Sequence, residues 1–114
     1  TDGDLNSNEF NLETAELIKS VGTWGQEFPE PCFDGEFKIL DQRAIGQNKN
    51  HLKMLLEPKQ GGVLLDAIAF NINTRLYPDL SIKQARLAYK LDINEFRGHR
   101  SVQLLVDYIE PIDE

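Results

Sequence analysis

Apolar residues recur along this chain at two periods, and the change falls near residue 36. Over NLETAELIKSVG, residues 11–22, Leu12, Ala15 and Ile18, with Leu17 and Val21, follow the i, i+3, i+4 spacing of one helical face. Short polar side chains between Ser7 and Asn11 suit the start of such a helix and Gly22 its end, which predicts a helix over 11–21. From Glu36 the alternation has period two. GEFKILDQRAIG (35–46) reads as a first strand with apolar residues on both faces. HLKMLLE (51–57) reads as a second and VLLDAIAFNI (63–72) as a third, with PKQGG turning between them. QARLAYKLDINEF (84–96) alternates most cleanly. Leu87, Tyr89, Leu91 and Ile93 share one face; Arg86, Ala88, Lys90, Asp92 and Asn94 share the other. A tight RGHR turn then leads into SVQLLVDYI (101–109), where the same alternation predicts Val102, Leu104, Val106 and Tyr108 on the inner face.

Five strands in roughly 75 residues favour a closed barrel over an open sheet, because closure removes the exposed edges. The expected fold is mainly β, a small five-stranded OB-like barrel with one N-terminal helix packed on it; an SH3-like barrel is the alternative. Residues 1–35 would form the helix and linker and residues 36–114 the barrel, in one compact domain. The connection from Asn71 to Lys83 is short and carries Pro78, so the helix often found between the third and fourth OB strands is expected to be shortened or missing. Between helix and barrel lies GTWGQEFPEPCFDG (22–35), with three glycines, two prolines, and the only tryptophan and cysteine. Trp24, Phe28 and Phe33 are expected to wedge the helix onto one end of the barrel while Pro29 and Pro31 hold the chain extended. The rival reading has Trp24 stacking on a base.

Composition is that of an ordinary soluble chain of 114 residues, 40% hydrophobic and 27% charged, with no apolar run long enough to span a membrane. The chain has no signal-peptide pattern and does not begin with Met, so it reads as a piece of something longer. A single cysteine allows no internal disulfide and favours a cytoplasmic home. The net charge of −7 argues at first against a nucleic-acid partner, but the charge is unevenly spread. Thr1 to Glu36 holds nine acids against Lys19, Lys38 to Val106 holds eleven bases against six acids, and four acids follow without a base. The middle of the chain is therefore basic.

Metal ligation finds little support, since Cys32, His51 and His99 lack any ligand spacing. Neither histidine has a nucleophile motif beside it, and PKQGG is not followed by a phosphate-binding helix. Asp92 and Glu95 point to opposite faces of a strand and read as solvated charges. A binding surface is better supported. In an OB fold the first and fourth interstrand loops bound the ligand face. Here these are GQNKNH (46–51) and FRGHR (96–100), and they hold cations without an acid. Arg43, Lys49, His51, Lys53, Lys90, Phe96, Arg97 and Arg100 are the candidate single-stranded-DNA contacts, cations for phosphates and a ring for stacking. Ordinary solubilising surface charge is the competing reading.

GTWGQEFPEP, together with FDGEF, HLK, LLDAIAFN and YKLDINEFRGHRSVQLLV, closely resembles the C-terminal OB domain of the bacterial RecJ family of single-stranded-DNA-specific exonucleases. The resemblance runs from about Leu12 to Ile112, with Thr23 where the family commonly has proline. It implies a 5′→3′ exonuclease of recombination and repair whose chemistry lies in an N-terminal domain with a D-H-H motif and Mg²⁺ or Mn²⁺. That motif is absent from these residues. No catalytic residue and no cofactor are therefore expected in this part, which would position the strand for the catalytic domains of the same polypeptide. A single-strand-binding protein is a further candidate partner. The alternative function is a protein-interaction or scaffolding domain that packs on the nuclease core and has little DNA affinity of its own.

Overall fold

The structure, a computed structural model, describes residues 3–20 and 30–112. Trp24, Phe28, Pro29 and Gly22, to which the sequence assigns packing and capping roles, lie outside the described residues. Strands β1 (Phe33–Ile45), β2 (His51–Pro58), β3 (Leu65–Ala69), β4 (Gln84–Phe96) and β5 (His99–Pro111) close into a barrel in the order β1-β2-β3-β5-β4. Every pairing is antiparallel except β3 with β5. The expected five-stranded OB-like barrel is the observed architecture.

Two bulges decide which residues face inward. In β1, Ile39 pairs with Leu56 and Asp41 with Leu55, so Leu40 is an extra residue that shifts the alternation by one. Phe33, Gly35, Phe37 and Ile39 are buried before it and Gln42 after it, which is why this strand reads as apolar on both faces. In β5, Ala88 pairs with Tyr108 and Tyr89 with Val106, leaving Asp107 extra. Strict alternation therefore fails at one predicted inner position. Tyr108 lies on the outside, 59% exposed, and Ile109 takes the inward place against the core. Leu52, Met54, Leu56, Leu87, Tyr89, Leu91 and Leu104 fill the interior.

Two stretches of chain that are not strand pack against the barrel. Asn11 caps helix α1 (Leu12–Ser20), its Oδ1 accepting the Thr14 amide at 2.8 Å. Ala15 is buried and Ile18 partly so, and the helix lies against β4 and β5; Leu17 remains 62% exposed. Residues 1–10 are mostly polar and acidic in sequence, yet Leu5 and Phe10 among them join the core. The Phe10 ring centroid lies 6.0 Å from that of Phe37 and 5.8 Å from that of Tyr89, and Phe33 packs on the same tyrosine. Beside the second half of β1 runs the connector 70–83. It is turns without helix among its residues, with Leu76 and Tyr77 both donating to the Asn73 carbonyl. Buried Gln42 clamps it: Nε2 donates to the Asp79 carbonyl at 2.6 Å and Oε1 accepts the Asp79 amide at 3.1 Å.

Candidate nucleic-acid interface

The loop from β1 to β2, residues 46–50, is shaped by backbone that turns left-handed at Gly46 (φ 94°) and Lys49 (φ 56°), with the Lys49 amide bonded to the Gly46 carbonyl. A side chain at Gly46 would place its Cβ 2.8 Å from His51 Cδ2, so the glycine leaves room for the imidazole. His51 Nδ1 accepts the Asn71 amide at 3.0 Å, which puts its proton on Nε2. Asn50 ties the loop to the same connector, its carbonyl accepting the Ile72 amide at 2.9 Å. Phe70 stands edge-on to His51, centroids 5.1 Å apart.

Strand register sorts the outward residues into rows. Arg43 pairs with Lys53, Lys53 with Ile68, Ile68 with Leu105 and Leu105 with Lys90, so one row carrying three cations crosses all five strands. The next outward row, on the side away from the β1–β2 loop, runs Asp41, Leu55, Asp66, Gln103 and Asp92. Beyond it lies the β4–β5 turn, where Arg97 (φ 52°) and Gly98 (φ 77°) reverse the chain. The Arg97 guanidinium sits 5.1 Å from the Phe96 ring centroid, and that ring is 65% exposed. The structure thus gathers Arg43, Lys49, His51 and Lys53 in one region. It sets Phe96, Arg97 and Arg100 in another, across an acidic row.

Ion pairs engage one candidate cation in each of these places. Lys90 lies 3.8 Å from Asp107 and Arg100 3.7 Å from Glu16 of α1. Lys19, Lys38, Lys59 and Arg86 are also paired, with Glu30 and Asp92, Glu57, Glu36 and Asp34 respectively. Among the described residues Arg43, Lys49, Lys53, Arg75, Lys83 and Arg97 form no ion pair within salt-bridge distance; all but Arg97, in the β4–β5 turn, lie on β1, β2, their loop or the connector 70–83.

Sequence reasoning passed over a groove whose edge, at Phe70, abuts His51. Phe70, Asn71, Asn73, Leu76 and Tyr77 of the connector and Asp107 and Tyr108 of β5 line it, around a volume of about 240 Å³. Alternation through β3 already puts Asp66, Ile68 and Phe70 outward, so Phe70 was legible; Tyr108 was hidden by the bulge. Burial raises the Tyr77 phenol above its ordinary value, with Tyr108 and Asp79 adding to the effect, so its hydroxyl is a neutral donor.

The chain matches the RecJ OB domain family over residues 1–108. The chain belongs to that family. It is 96% identical over all 114 residues to the single-stranded-DNA-specific exonuclease RecJ of Haemophilus influenzae. To those of Dickeya dadantii and Escherichia coli it is 55% and 54% identical over 98% of its length. It spans only 19–20% of the length of these curated relatives, so what matches is their OB domain. The crystal structure of Thermus thermophilus RecJ in complex with Mg²⁺ shares the fold, with a TM-score of 0.59 at 17% identity, over 88% of this chain and 16% of that one. No group of three His, Cys, Asp or Glu among the described residues of the RecJ OB domain is placed to hold a metal ion, so a metal has no fitting site on them. No described helix is long and apolar enough to cross a membrane.

Proposed function

We propose that this domain binds single-stranded DNA and positions the strand for the DHH catalytic domain of the same polypeptide. The enzyme would be a cytoplasmic 5′→3′ exonuclease of recombination and repair, with the metal ions held by that catalytic domain. The carrying observation is the cluster of cations without ion pairs: Arg43, Lys49 and Lys53, with His51 Nε2–H beside them. A phosphate meeting such a cation displaces only its counterions, whereas at Lys90 or Arg100 it must compete with a carboxylate. Phe96, Arg97 and Arg100 would then be contacts of the strand further along, past the acidic row, with Lys90 at the far end of the first row beside its partner Asp107. The names of the relatives, single-stranded-DNA-specific exonucleases, agree with this reading. The test is a backbone NMR titration with a short oligothymidylate at low and at moderate salt. Shifts centred on residues 43–53, fading as salt rises with a log–log slope of roughly −2 to −3 for three or four phosphates, are expected. If no resonance moves at either salt, the domain is a protein-contacting module instead.

A further inference from the structure

We propose that the groove between the connector and the β5 bulge is a nucleobase subsite, in which one unstacked base enters between Phe70 and Tyr108 while the neighbouring phosphates reach toward the cations of β1, β2 and the connector. This inference rests on the single-strand reading above and names where the strand's bases, rather than its phosphates, are held. Phe70 is 56% exposed and Tyr108 slightly more, and no ring-to-ring contact joins them although both line the groove. Phe70, Leu76 and Tyr108 bring exposed apolar surface together in one groove, and covering that surface is favourable. Burial by a flat aromatic ligand is available to any base, because every base has a π-face.

Charge complementarity selects a nucleotide as the occupant. Phe70 abuts His51, whose ring is fixed by the Asn71 amide, and Arg75 lies on the connector that forms the groove wall. Arg43 and Lys53 occupy the first outward row below His51. Backbone phosphates flanking a base in the groove would therefore meet cations that have no ion pair within salt-bridge distance. Asp107, the one carboxylate of the lining, is partnered by Lys90 at 3.8 Å. Asn73 accepts the Arg75 amide through Oδ1, which leaves its Nδ2 hydrogens for a base carbonyl. An apolar peptide could use the rings but would leave this polar rim unanswered.

The experiment compares an oligothymidylate with an oligomer of the same length whose sugars carry no bases, each titrated against this chain and against Phe70→Ala and Tyr108→Ala. Both substitutions are at exposed positions, and circular dichroism checks that each variant folds. The base-free strand and either variant are expected to lose affinity roughly 5- to 150-fold, the range for one stacked base, with the salt slope unchanged. Equal affinity for both strands, with both variants indistinguishable from the parent, overturns the subsite while leaving single-strand binding intact. Binding to neither strand overturns the single-strand reading itself. Groove resonances that respond to an apolar peptide and not to the oligothymidylate overturn the choice of occupant.

Discussion

Tyr89 is the most completely enclosed aromatic side chain of the barrel, and its phenol is satisfied by Asp4 at 3.1 Å, from a segment whose composition gives no hint of a core role. Burial, then the Asp4 carboxylate, raises the phenol far above its ordinary value near 10. A group raised on folding gives stability that is whole below the unfolded value and is lost as pH climbs through the folded one. Folding is therefore expected to weaken above about pH 10, with the Tyr89 phenolate appearing only as the circular dichroism signal collapses. The same alkaline limb should flatten in Tyr89→Phe. A phenol absorbance titration would contradict this if all three tyrosines ionised reversibly in the folded chain. Gln42 teaches a related lesson. It sits where alternation expects an apolar residue after the bulge, and its amide does there what a leucine could not, holding both polar backbone atoms of Asp79.

Elements show where periodicity suffices and where it fails. β4 reads correctly from end to end because no bulge interrupts its buried positions Ala85, Leu87, Tyr89 and Leu91. β5 reads correctly only to Val106, since a bulge is a property of a strand pair and leaves no mark in one strand's pattern. The N-terminal segment fails for another reason: two apolar residues in ten make no period, yet Leu5 and Phe10 lie where the barrel end is open. If this segment is a plug rather than a tail, Phe10→Ala should cost about 3–5 kcal/mol, as for other buried phenylalanines. Urea unfolding of the variant checks it, and a loss under about 1 kcal/mol would mean that the segment merely rests on the barrel.

At the scale of the whole molecule the net charge of −7 is misleading, because the fold spends its acids locally. Asp34 and Glu36 at the start of β1, Glu16 of α1 and Asp107 of β5 neutralise Arg86, Lys59, Arg100 and Lys90, leaving the face beside the β1–β2 loop cationic. If that face carries the strand, Lys53→Ala should shallow the salt dependence of oligothymidylate binding by about 0.7, the share of one phosphate contact. Arg100→Ala, already paired with Glu16, should change the slope by much less. Fluorescence anisotropy across a salt series distinguishes them, and equal slopes for the two variants would remove the distinction between the regions.

By itself the sequence determined the number of strands and their succession along the chain, the family and the basic middle of the chain, because each is written in local alternation, in motif or in a count of charges. It also contained Arg43, Lys49, His51 and Lys53 as a set, since three of them flank or belong to one loop and the fourth follows two residues into β2. Only the tertiary structure decided which cations keep a free charge, because pairing Arg100 with Glu16 or Lys90 with Asp107 joins residues remote in the chain. It alone put Phe70, Tyr77 and Tyr108 around one groove, as that depends on a parallel β3–β5 pairing and on a bulge in β5, and both are set by contacts between strands rather than within them.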